Sequence, residues 1–483
     1  MILPALVALL VAGGPLLRGS FELATQSALH LVVVAGLTAW LLSRVAVGFL
    51  PLPSNRLLVW SGALACLSWA SAWSSPVHGL ARSEWYAFLE GLWIFAAMAA
   101  LSKDERTGID QAVRASAWVL MSLAFYQHFT LGVESPASAL PGPSVYAGAV
   151  LMLLPLAVER GDWLLGLGLL WTLCWAKSPG AWFGLAAAVA VTQRRAHPVL
   201  ARAGAAVALG CAVILYGRLD SPEVAHRWGW WRAAWAMAAD RPLTGFGPGA
   251  FAHVLPAYRE LAPGALYGSH AHQYLLEVLA GFGVPFALLW FAGLWRSIMS
   301  EGHYKRFAVI AVLIQSLWDY TLSVPSNLWL FCYCAASPIP DTGRGVNIPS
   351  PYKPVAATLT LAAGLALGGR VLAAWSAEQH LAAAQVALEN GDAEGSRRRL
   401  AAARRSNPAH SGAPRLAAAL DLQEAAAKGG AHGALLAAAA ELEHAARLNP
   451  FLPGTWTQLA GVYRALGRDA LAQETERRAG RVR

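Results

Sequence analysis

Residues 28–50, ALHLVVVAGLTAWLLSRVAVGFL, hold a single charge, Arg44, in a run long enough to cross a hydrocarbon core of about 30 Å as one helix. Runs of the same kind follow at 57–73, 85–101, 115–131, 146–158, 163–176, 181–191 and 203–216, and again at 274–295, 307–320, 327–336 and 355–375. Several are short for a full span. The N-terminal run from Ile2 to Leu17 lacks the basic start of a secretion signal and is followed directly by further apolar runs, so it reads as the first helix. Together the runs predict an all-α, polytopic membrane helix bundle of about 12–13 transmembrane helices.

Composition supports lipid as the main solvent. Apolar residues make up 56% of the chain and charged residues 13%, about half the share usual in soluble domains. The positive balance comes from loops and the C-terminal part, and basic and aromatic residues do not interleave as in a nucleic-acid reader. The five cysteines, Cys66, Cys174, Cys211, Cys332 and Cys334, lie in apolar runs without metal or redox spacing. No metal and no cofactor is expected.

Short-loop charge sets the orientation. Arg56, Lys103, Arg106, Arg160, Arg194, Arg195, Arg296, Lys305, Arg306, Arg344 and Lys353 fall on one side, against Arg18, Arg82 and Lys177 on the other. The richer side is expected to be cytoplasmic, which puts the long loop 217–270 outside, on the periplasmic face of an inner membrane. The division expected is 1–376 for the membrane domain, with that loop included, and 377–483 for a water-soluble helical-repeat tail. In the tail, amphipathic Ala-rich stretches alternate with stops at Asn407-Pro408 and Asn449-Pro450, a pattern with the look of tetratricopeptide repeats. It could cap the membrane domain or bind a protein partner.

The outer loop and its return to the membrane carry the candidate chemistry. Arg227 and Arg232 stand among Trp228, Trp230, Trp231 and Trp235, a composition suited to the headgroup level and to bidentate contact with a phosphate. The turn through Gly245, Gly247 and Gly249 lacks the features of a nucleotide-binding loop and reads as a chain reversal. His270 and His272 follow where the loop re-enters a helix. An imidazole there can accept a proton near neutral pH, while the spacing of two cannot present both rings to one zinc ion from a single helix face. Glu90 and Glu277, among few intramembrane charges, keep an ion or proton path open, with pairing to an arginine as the structural alternative.

Taken in order, Arg227, Trp231-Arg232-Ala233-Ala234, Asp240-Arg241-Pro242-Leu243, Gly245-x-Gly247-x-Gly249-x-Phe251 and His270-Ala271-His272-Gln273 resemble the O-antigen ligase and polymerase family, closely over Arg227 to Phe286. The resemblance implies transfer of a glycan from a polyprenyl diphosphate carrier to an acceptor hydroxyl on lipid, glycan or protein, by an inverting, metal-independent route. It also implies that His272 is the base, with His270 and Gln273 beside it, and that Arg227 contacts the diphosphate. Two positions depart from the family pattern. Phe286 stands where the ligase signature ends in Gly, Thr or Tyr, and Ser178-Pro179-Gly180 replaces Ser-Arg-Gly. Lys177 and Arg259 are the candidate cations that would compensate for the second. Rival readings are a transporter or flippase for lipid-linked sugars, and a catalytically altered scaffold acting through its tail.

Overall fold

A computed structural model describes residues 2–77, 79–80, 82–217, 222–261, 268–300, 303–336 and 345–481. Parts of the loop 217–270 therefore lie outside the described residues. The chain is all-α: among the described residues the strands are a short antiparallel pair, 49–51 with 345–347.

Among the described residues, four helices are long and apolar enough to cross a membrane: Leu23–Val47, Asn55–Ser74, Pro198–Tyr216, and Lys353–Glu389 with the turn that precedes it. They sit at the periphery, with 17% or less of each apolar stretch buried by protein. The helices that looked short in the sequence are the central ones. Pro143–Glu159 is buried along most of its length, and every residue of Pro325–Ala335 is buried. Helix ends wrapped in protein do not need to reach the headgroups, because neighbouring chain rather than water satisfies their backbone. That is why the expected span 327–336 is a buried core helix. The N-terminal run is interrupted, with a π turn at Leu9–Gly13 between its helical pieces.

Glu90 pairs with a histidine instead of the arginine anticipated for it. His30 Nδ1 and Glu90 Oε1 are 2.8 Å apart in a buried contact between Leu23–Val47 and Arg82–Ala100. At another point on Leu23–Val47, Lys353–Glu389 comes so close that a Cβ on Gly364 would fall 2.2 Å from Thr38 Oγ1. Lys353–Glu389 crosses 376/377 without a break, so the membrane region and the tail share a helix. Its far end packs on Ala393–Ser406. Gly412–Ala427 with His432–Leu448, and Pro453–Ala465 with Asp469–Arg481, complete a run of paired helices.

Candidate active site

The site is assembled by a loop docked onto a broken helix. After Pro222–Asp240, the glycine turn lies against the junction of Tyr274–Phe282 and Val284–Ser300: Phe246 N donates to Ala280 O at 2.8 Å and Gly247 N to Gly281 O at 2.9 Å. Val284 N donates to Pro242 O at 2.7 Å. At Gly283, φ is +84° and a Cβ would lie 2.6 Å from the Leu243 carbonyl, so a side chain there is excluded twice over. The turn does reverse the chain, and it also fixes Pro222–Asp240 against the re-entering helix.

That docking turns part of the tryptophan-rich helix inward. Trp228 and Trp235 remain exposed, as a headgroup-level position would have it, whereas Trp230 and Trp231 face protein. Trp230 stacks on His272. Trp231 leans on Trp318 at 5.6 Å, and Arg227 Nη1 donates to the Trp318 carbonyl at 2.8 Å. The indole nitrogens of Trp230, Trp231 and Trp318 are buried with no hydrogen-bond partner among the described residues. Buried donors left in that state are uncommon.

His272 adopts φ +53°, the left-handed region, immediately before the helix that Gln273 caps by accepting from Leu276 N at 2.6 Å. Gln273 is thereby given a structural task. Burial, and then the positive charges of Arg227 and His270, push the His272 imidazole down to about 3, so it is neutral at physiological pH. Its Nδ1 lies 3.8 Å from Asp319 Oδ1, beyond hydrogen-bond length and, with the ring neutral, not an ion pair. Asp319 is buried, and its Oδ1 accepts from the Tyr320 N–H at 2.8 Å.

His270 behaves oppositely. Burial alone would lower it, yet Glu277, 2.7 Å from its Nδ1, and the more distant Glu84 and Asp319 carry it up to about 9. It is a buried cation, with its ring stacked on Tyr320 at 5.0 Å. Glu277 also accepts from Ala271 N at 3.3 Å, so its carboxylate ties down the His270 side chain and the backbone of the residue before His272. The two intramembrane acids thus each meet a histidine.

The remaining candidates separate. Lys177 precedes Pro179–Thr192 and pairs with Glu134 at 2.7 Å on an exposed surface. The side chain of Arg259 lies outside the described residues. Tyr320 and Asp319 carry no signal in the sequence that ties them to His272, and Trp230, which stacks on it, reads there only as one of the headgroup-level tryptophans.

A neutral histidine set against a positive field at the edge of an apolar bundle is the arrangement on which the comparison bears. Residues 149–291 match the O-antigen ligase family model. No curated protein matches the chain. The ligase segment begins inside Pro143–Glu159 and ends inside Val284–Ser300, so it contains Lys177, Arg227, Arg259, His270, His272 and Gln273. Asp319, Tyr320 and the tail fall outside it. Over residues 149–291 the chain is thus similar to an O-antigen ligase, and with the apolar helices the match points to a bacterial membrane protein.

Proposed function

We propose that the chain is an inverting, metal-independent glycosyltransferase of the periplasmic face, moving a glycan from a polyprenyl diphosphate to an acceptor hydroxyl. The observation that carries this reading is the placement of His272, stacked on Trp230 and met edge-on by Tyr320, where burial first and then the Arg227 guanidinium keep the ring neutral. The acceptor oxygen attacks the anomeric carbon, the bond from that carbon to the diphosphate breaks, and the diphosphate leaves with the electron pair. His272 takes the hydroxyl proton at Nε2, its Nδ1 being buried.

A base held near 3 is weak until substrate arrives. Burial is the larger cause of that low value; diphosphate placed on Arg227 offsets the part due to its positive charge, so carrier binding raises the basicity by that part. The unpartnered indole N–H groups beside it suit the oxygens of a diphosphate or a sugar. A cavity of about 700 Å³, lined by apolar residues that include Leu279, Leu288, Phe291 and Leu317, begins at Tyr274, two residues along the chain from His272, and reaches the exposed Leu288. It suits the isoprenoid chain of the carrier.

The tail's paired helices support a tetratricopeptide-like reading, with a protein partner as the corresponding expectation. The transporter reading drew on Glu90 and Glu277, and both acids are engaged by histidines. Protein reconstituted in vesicles without an ion gradient and given a polyprenyl diphosphate glycan and a hydroxyl acceptor distinguishes the two. New covalent product supports transfer; translocation of unaltered carrier contradicts it.

A further inference from the structure

Asn407 and Asn449 open the two Asn-Pro turns of the tail, 42 residues apart, and both side chains are buried. Each uses its two ends differently. The Oδ1 accepts from its own chain two residues on, Ala409 N at 3.3 Å and Phe451 N at 3.0 Å, which closes the turn. The Nδ2 points away from the tail: Asn407 donates to Gly79 O at 3.0 Å, and Asn449 approaches His253 O at 3.5 Å. Gly79 connects Asn55–Ser74 to Arg82–Ala100, and His253 lies in the loop beyond the glycine turn. The same device is used twice against one face of the membrane region.

Close packing accompanies both contacts. A Cβ on Gly79 would fall 2.0 Å from the Ala409 carbonyl oxygen, so the two backbones meet where only a glycine fits. Beside Asn449, the Phe451 ring meets Phe246 edge-on at 5.5 Å. Phe451 packs on a cluster that includes Phe246, Ala233, Ala234 and Met237, and Trp230, whose ring stacks on His272, packs on the same cluster. A continuous path of contact runs from the tail to the imidazole.

We propose that the helical tail is an intramolecular clamp on the outer loop, in which Asn407 and Asn449 are positioning residues that hold Phe246 and Trp230, and through them the His272 ring. Along this edge the tail is occupied by the chain's own loops. The catalytic consequence rests on the proposed glycosyl transfer; the clamp itself does not.

The test separates docking from turn folding. In Asn407→Asp/Asn449→Asp the side-chain oxygen that closes each turn is kept and both amide donors are lost, while Gly79→Ala disturbs the Asn407 contact from the membrane side without altering the tail. Full-length proteins in lipid nanodiscs are compared by amide hydrogen exchange. The clamp predicts that exchange at Phe246 and Gly247 quickens by about tenfold or more in both variants, with amides of the helix His432–Leu448 unchanged in Gly79→Ala. In a transfer assay the turnover number falls in both variants while the KM for carrier stays near wild type. Loop exchange unchanged in Gly79→Ala overturns the proposal, whatever the Asp variant does. Quickened exchange in a protein whose wild type transfers no glycan sinks the glycosyltransferase reading and leaves the clamp standing.

Discussion

The imidazole of His272 lies flat on the indole of Trp230, ring centroids 4.8 Å apart and planes 15° apart, while Tyr320 meets the same ring edge-on at 4.8 Å. Two aromatic walls fix the direction of its nitrogens. Such contacts are worth about 0.5–1.5 kcal/mol each beyond the area they bury. Trp230→Ala frees the ring and is expected to lower the turnover number by about tenfold or more, through lost orientation. Trp230→Phe, which keeps a stacking surface, should retain most of it. Steady-state kinetics on both variants check this; an Ala variant as fast as wild type removes Trp230 from the account.

Arg227 already spends one N–H on the Trp318 carbonyl, which leaves the rest of a planar fork for an anion. Lys at this position keeps the charge and loses the fork. Arg227→Lys is expected to raise the KM for the polyprenyl diphosphate donor by about tenfold or more. Equal KM values in the two proteins would show that geometry at this cation is irrelevant.

With His272 held at about 3, the free protein has its base neutral across the accessible pH range. The kcat/KM for donor should therefore be level from about pH 5 to 7.5, whereas kcat, which reports the carrier-bound protein, should begin to fall at a higher pH on the acid side. An acid limb near 6.5 in kcat/KM contradicts the depressed imidazole.

His270, raised to about 9 by Glu277 and its neighbours, makes the opposite kind of prediction. Its folded-state value exceeds the unfolded one of about 6.5, so the stability it contributes is complete below 6.5 and is lost as pH climbs through 9. Wild-type Tm should fall between pH 7 and 10 more steeply than that of His270→Gln. Parallel Tm curves would mean that the His270–Glu277 contact is not an ion pair.

Much of the bundle was legible because lipid solvation leaves long apolar runs unmistakable in residues 28–50 and their successors. Which helices are central was not legible: Pro325–Ala335 and 28–50 have the same composition class, and only packing decides which meets lipid. The arginine, the two histidines and the glycine turn were visible as residue types in order. Their partners were not. His270 lies before its helix begins, so helical periodicity could not pair it with Glu277, and His30 and Glu90 come from helices 60 residues apart. The inward turn of Trp230 and Trp231 depends on Gly283 and Gly245 admitting the loop backbone, a steric fact about the docked surfaces. For the same reason the Asn-Pro stops read as helix ends, while their outward-facing amides became meaningful only opposite Gly79 and His253.

The most direct test of the central claim is single-turnover glycan transfer by His272→Ala, in nanodiscs, at saturating polyprenyl diphosphate donor. The account predicts normal insertion, retained carrier binding and a rate reduced by about 10²–10⁴-fold, the usual worth of a positioned general base. Transfer at the wild-type rate would contradict it.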